Sequence, residues 1–378
     1  MAQERVPTLV EHFADVEDPR NGRRKDHLLL DIITIAICGV ICGADGWVGV
    51  EEFGKAKEKW LRSFLELPKG IPSHDTFGRV FARMDPEQFQ SGFLSWVQAI
   101  SEVIEGQVIA FDGKKLRRSH DGTLGKAAIH MVTAWASANR LVLGQLKVDD
   151  KSNEITAIPA LLKLLEIKGC IVTIDALGCQ TEIAELIIEK EADYVLALKG
   201  NQGTLYGDVQ DLFAYAQEIG FQNVTHDFHR TVDKGHGRIE IRRYWTISEP
   251  DWISYLDPSG KWKDLSSIGM VQAERRIADQ VTCETRYYIL SIAGDAMGFG
   301  LAVREHWGIE NKVHWVLDVA FREDDCRVRK DNAAQNLAVL RHIALNLLRH
   351  EQTAKCGTQT KRLKAGWDHG YLLKVLTG

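Results

Sequence analysis

From residue 108 to residue 199 the chain alternates short apolar runs with turns and amphipathic helices, and this order leaves few ways to build a sheet. The runs VIAFDG, AAIHMVTAWAS and LVLGQLKVD follow one another closely enough to pair as an antiparallel meander. IPALLKLLEI, CIVTIDA, TEIAELIIEKE and DYVLALKG then alternate helix with strand, and a helical crossover requires the strands it joins to pair in parallel. A mixed sheet flanked by helices is therefore expected. With 378 residues, 45% of them hydrophobic and 26% charged, the chain can bury two cores, or one core with elaborations.

Before about residue 105 helical periodicity dominates, which divides the chain into an all-α region, 1–104, and a mixed region, 105–378. The first region offers an apolar helix over 28–43, an amphipathic segment VEEFGKAKEKWLRSFLEL, a helix in PSHDTFGRVF with Ser73 or Asp75 as its N-cap, and another in FQSGFLSWVQAISEVI. Residues 28–43 are the most apolar stretch, but they are short for a membrane span and contain Asp31 and two glycines, so a buried core helix is expected and no membrane association. Residues 221–292, with HGRIEIRRYWTI, SSIGMVQAERRI and TRYYILSIA, read as a mainly β insertion that projects from the sheet rather than extending its core. Helix returns from about 296 to 349.

The net charge of −5 argues against a uniformly basic coat but leaves room for local basic faces. Seven cysteines form no regular framework, and MAQERVPTLVEHF lacks a charged-then-apolar leader, so a cytoplasmic location is expected. Cys38 and Cys42 have no second Cys or His pair nearby and read as buried thiols.

Three acids stand out. Asp112 and Asp175 each end an apolar run, and Glu310 lies inside a helical pattern, REHWGIENKVHWVLDV. Taken singly, an Asp at a strand end is a turn former or a helix cap. Taken together, the strand order puts the two Asp residues on neighbouring strands and packs the helix of Glu310 against the same sheet end. A desolvated carboxylate persists when a cation neutralises it. Two divalent ions about 3.5–4 Å apart, held by shared carboxylates, are the arrangement that cleaves phosphodiesters, and oxygen ligands imply Mg2+ or Mn2+.

At these residues the chain resembles the DDE transposases of bacterial insertion sequences, most closely the H-repeat-associated branch. DVEDPRNGRRKDHLLLDIITIAICGVICGADGW and GIPSHDTFGRVFARMDPEQF are similar to that branch's associated N-terminal domain. IAFDGKKLRRS, KSNEITAIPALL, TIDALGCQ, ADYVLALKGNQ, HGRIEIR and REHWGIENKVHWVLDVAFREDD are similar to its catalytic domain. The resemblance implies a ribonuclease-H-like fold with Asp112, Asp175 and Glu310 as the catalytic, metal-holding triad. It also implies double-stranded DNA as partner, both the element's ends and the target, and a homodimer when assembled on DNA. The implied activity is cutting the ends and joining them to target DNA. A nuclease without strand transfer and a domesticated DNA-binding protein are the alternatives. Many related transposases surround the glutamate with Tyr, Arg and Lys; this chain has Val303, His306 and Leu317 at those places, so the phosphate contacts inferred from such families do not transfer.

Lys114, Lys115, Arg117 and Arg118 follow Asp112 directly and are expected to meet the scissile backbone, where phosphate contacts supply affinity. Lys199, Asn201 and Gln202 end the next parallel strand and are expected to reach the same cleft. In the insertion, Arg238 and Arg242 share one face of a strand and are expected to contact phosphate. His306 and His314 flank Glu310 at helical spacing; they face DNA phosphate or satisfy a local hydrogen bond, and a zinc stripe is the weaker reading. Trp307 and Trp315 read as core aromatics, with base stacking as the alternative. Arg20, Arg23, Arg24 and Lys25 form a basic group that either grips DNA or is an ordinary solvated run.

Overall fold

A computed structural model describes residues 8–20, 25–120, 128–148, 154–235 and 237–377. Arg23 and Arg24 lie outside them. The first region is helical: α1 (Thr8–Glu11), α2 (Leu29–Ile41), α3 (Trp47–Leu61), α4 (His74–Arg83) and α5 (Pro86–Ile100). Ser73 caps α4, accepting from the Thr76 amide. α2 is buried along nearly all of its length, and its Asp31 carboxylate accepts from the Leu67 amide at 2.9 Å. Among the described residues no helix is long and apolar enough to cross a membrane.

The mixed region begins with β1 (Val108–Lys115), β2 (His130–Ala136) and β3 (Leu141–Lys147), and these form the expected antiparallel meander. α6 (Glu154–Leu164), β4 (Ile171–Ile174), α7 (Thr181–Glu189), β5 (Asp193–Leu198) and α8 (Thr204–Glu218) follow, with β4 parallel to both β1 and β5. The order β3-β2-β1-β4-β5 is the mixed sheet that the ribonuclease-H-like expectation requires.

The insertion departs from expectation. Its strands β6 (His226–Gly235) and β7 (Arg238–Ile247), helix α9 (Pro250–Leu256), and strands β8 (Ser267–Ile277) and β9 (Gln280–Leu290) continue the same sheet, because β9 pairs antiparallel with the free edge of β5. The result is one nine-stranded sheet ending in β5-β9-β8-β7-β6. Only Val195–Leu198 of β5 pair with β9, at its Tyr287–Leu290 end, so Gln280–Arg286 run on past the C-terminal ends of β4 and β5. At about 3.4 Å per residue those seven residues form an arm roughly 20 Å long beyond the core. The insertion thus extends the core at its base and projects at its tip.

After β9 come α10 (Ala296–Gly308), a π-helical turn (Ile309–His314), α11 (Trp315–Ala320), α12 (Ala333–His350), α13 (Thr358–Trp367) and α14 (His369–Thr377). α12 ties both regions together. Its Asn336 amide donates to the Phe81 and Met84 carbonyls of the helical region, while Asn346 accepts from the Val142 amide and donates to its carbonyl on β3. The hydrophobic core runs without interruption from α2, α4 and α5 through α12 to the sheet.

Candidate active site

β1 and β4 run parallel with Phe111 opposite Ile174, so Asp112 and Asp175 are the next positions on two adjacent strands, about 5 Å apart at the backbone. Strand β1 does not end at Asp112: it stays paired to β2 through Lys115, which removes the turn-forming account of this residue. Asp175 does cap a short turn, its Oδ1 accepting from the Leu177 amide at 3.1 Å. That bond fixes the side chain beside β1.

Glu310 lies in the π-turn between α10 and α11 and is exposed. π-turns inside helices widen the spiral by one residue and recur at functional sites. Glu310, Asp112 and Asp175 line one cleft of about 220 Å3, with Glu284, Arg286 and Lys199 around them. Among the described residues no Lys or Arg ion pair reaches any of the three acids; the close neighbour of Asp112 is His314, whose Nε2 is 3.0 Å from Asp112 Oδ2. Nor does any group of three His, Cys, Asp or Glu among the described residues close around a point that could hold a metal. The acids therefore form an open set of oxygen donors without a cation of their own. Such a set of carboxylate oxygens fits a hard divalent ion.

Two family models match most of the chain. Residues 103–347 match the family described as "Transposase DDE domain", and residues 10–97 match "DDE_Tnp_1-associated". The chain belongs to the DDE transposase family. Curated relatives of this transposase include "H repeat-associated putative transposase YhhI" of Escherichia coli (strain K12), 40% identical over 98% of both chains. "Putative transposase YncI" of Escherichia coli O157:H7 is also 40% identical, over 98% of this chain and 95% of its own. A protein of Xanthobacter autotrophicus described as "Uncharacterized protein in dhlA 3'region" is 45% identical over 77% of this chain and 96% of its own. DDE transposase domains use divalent metal ions, in keeping with the donor set.

Several expected DNA contacts of the transposase are placed elsewhere. Lys114 is largely buried and pairs with Asp318 and Glu323, while Arg117 and Arg118 pair with Asp324 and Asp325 at 3.2 and 3.5 Å. The basic run KKLRR thus faces the acidic run EDD, two hundred residues away in sequence, and is no free positive patch; Lys115 is exposed. Asn201 and Gln202 donate to the Ala176 carbonyl at 2.8 and 3.0 Å, so they brace the Asp175 turn. Lys199 is exposed at the cleft. Arg242 pairs with Asp233 and Glu240, and Arg238 with Glu240, on the arm face that leads into the cleft. Arg20 is held by Asp18 at 2.8 Å, with Lys25 3.5 Å from the same carboxylate.

His306 accepts or donates at Nδ1 to the Thr173 hydroxyl, 3.0 Å away, and lines the cleft. Burial lowers its pKa against the pull of Asp112 and Asp175. His314 is buried, away from the surface on which a phosphate contact is expected. Val303 and Leu317 are core side chains, in agreement with withholding the family's phosphate contacts from them. Trp307 and Trp315, expected in the core, are 43% and 61% exposed, because Ile309, Val313 and Leu317 supply the buried face of this helix.

Glu154 is the residue the sequence reading passed over. It opens α6, is buried, and has His130 Nε2 2.8 Å from its Oε1. Its carboxylate lies where a side chain on Gly113 would be, so the glycine after Asp112 makes room for it. Burial first, then the charges of Asp175 and Asp112, raise its pKa to about 7. In sequence it looks like an ordinary first-turn acid. Arg286, whose guanidinium lies 4.5 Å over the Trp307 ring, was hidden among many arginines of the insertion.

Proposed function

We propose that the protein is a metal-dependent transposase that cuts the ends of its own insertion sequence and joins them to target DNA, with Asp112, Asp175 and Glu310 as its catalytic triad. The observation that carries the reading is the convergence of these three acids, without a cation of their own, on one cleft. Two Mg2+ or Mn2+ ions held by the triad would supply Lewis acidity to the scissile phosphate and to the attacking and leaving oxygens. Asp112 and Asp175 would hold the ions from the sheet and Glu310 from the helical turn that lines the same cleft. Arg286 and Lys199 offset the negative charge that the phosphate brings into an acidic cleft. The exposed Trp307 ring gives a base next to the cut a surface to stack on. In the first step water displaces the 3′-oxygen of the element's end, leaving a free 3′-hydroxyl. In the second that hydroxyl attacks a target phosphate, forming one P–O bond as another breaks, so no protein-linked intermediate is needed. Assembly as a homodimer on DNA, with the helical region gripping the ends, completes the reading.

The test is incubation of the full chain with duplex DNA carrying the element's ends, with and without Mg2+. Nicks at the ends followed by joined products are expected. Cutting without joining would favour a simple nuclease, and no metal-dependent cutting would sink the reading.

The arm gives a second prediction. If Arg238 and Arg242 contact phosphate, the Arg238→Ala, Arg242→Ala double variant weakens binding across sequences and lowers the salt slope by up to about two units. An unchanged slope, with the fold intact, would assign both arginines to the arm's own ion pairs with Asp233 and Glu240.

A further inference from the structure

The π-turn that presents Glu310 also carries a second contact to the triad. Glu310 opens on the cleft, whereas His314, four residues on, is buried against β1. Its Nε2 lies 3.0 Å from Asp112 Oδ2. The approach is close but not aligned for a hydrogen bond, and neither ring nitrogen makes one. Catalytic contacts are often loose in this way before substrate is bound. A buried imidazole without partners costs stability, and an aliphatic side chain would fill the same space without that cost, so packing alone does not account for a histidine here.

The same strand grips the same helix a second time. Two residues beyond Asp112, on the same face of β1, Lys114 reaches the His314 carbonyl at 3.5 Å and the Asp318 carboxylate on α11. Glu323, just past α11, holds that ammonium from the other side at 2.8 Å. Strand β1, which carries one acid of the triad, and the helix that carries another are thus joined at two points one strand repeat apart.

We propose that His314 is a positioning residue: it orients the Asp112 carboxylate toward the cleft and, with the Lys114 strut, sets the separation between Asp112 and Glu310. This rests on reading Asp112 and Glu310 as the holders of the divalent ions. Groups that orient a metal-binding carboxylate are worth 10–100-fold in metal affinity when removed. Neither contact requires His314 to touch DNA.

Mn2+ alone is the probe, titrated into the full-length protein and followed by electron paramagnetic resonance, with melting temperatures measured on the same samples. The variants are His314→Ala, His314→Gln and Asp112→Asn. His314→Ala is expected to bind Mn2+ about 10–100-fold more weakly than wild type. His314→Gln, which keeps an amide donor, should recover most of the loss, and cleavage by each variant should need correspondingly more Mn2+. If His314→Ala binds Mn2+ as wild type does, or if Ala and Gln lose affinity alike in step with a lowered melting temperature, the positioning role is overturned. If Asp112→Asn leaves Mn2+ binding unchanged, the failure lies in the assignment of the site itself.

Discussion

Asp175→Asn is expected to lose Mg2+-dependent cutting of the element's ends by about a thousandfold or more, since removing one shared carboxylate takes several kcal/mol from the transition state. Asparagine is the informative replacement. Its side-chain oxygen can still accept from the Leu177 amide and hold the turn that follows β4, so the charge is lost while the fold is kept. Asp112→Asn and Glu310→Gln should behave alike. End binding, measured by gel shift, should change by no more than a few-fold in all three, because phosphate contacts come from separate cations. Cutting that persists at the wild-type rate in Asp175→Asn would remove this residue from the triad.

Glu323→Ala should be strongly destabilising, at about 3–5 kcal/mol, because it leaves Arg341 buried without an acidic partner and Lys114 with Asp318 alone. Burial opposes ionisation of Glu323, yet Lys114 and Arg341 outweigh it and hold the carboxyl down at about 2. Since the folded value lies below the ordinary 4.5, this stabilisation is fully present above that pH and is lost as the pH falls toward 2. Urea unfolding of wild type and variant at pH 7 and at pH 3.5 measures both effects, and the difference between the two proteins should shrink at the lower pH. A difference under about 1 kcal/mol at pH 7 would mean that the network is dispensable.

The legibility of the chain followed its periodicity. β1 through β5 and the helices between them were readable because each is buried on at least one face, and burial is what writes apolar pattern into sequence. β6 was missed for the opposite reason: HDFHRTVDKG is an exposed edge strand whose charges guard it against pairing, so it carries no alternation. The attachment of β9 to β5 was likewise invisible, since nothing in either strand names its partner. In the cleft, the three acids were legible through their setting and their resemblance to a family. Pairwise commitments were not. KKLRR reads as a basic patch until EDD is placed against it, and His314 reads as a surface group until β1 covers it. Glu154 became visible only when the absent side chain of Gly113 showed what it makes room for.

The position of α12 has a consequence for how the protein is made. The helical region and the sheet both complete their core against Ala333–His350, which leaves the ribosome about 300 residues after α2. At roughly 5–20 residues per second the apolar sides of α2 and its neighbours wait roughly 15–60 s for the surface that covers them. A chain cut before Ala333 would therefore leave the apolar sides of α2, α4 and α5 and the adjoining face of β3 uncovered.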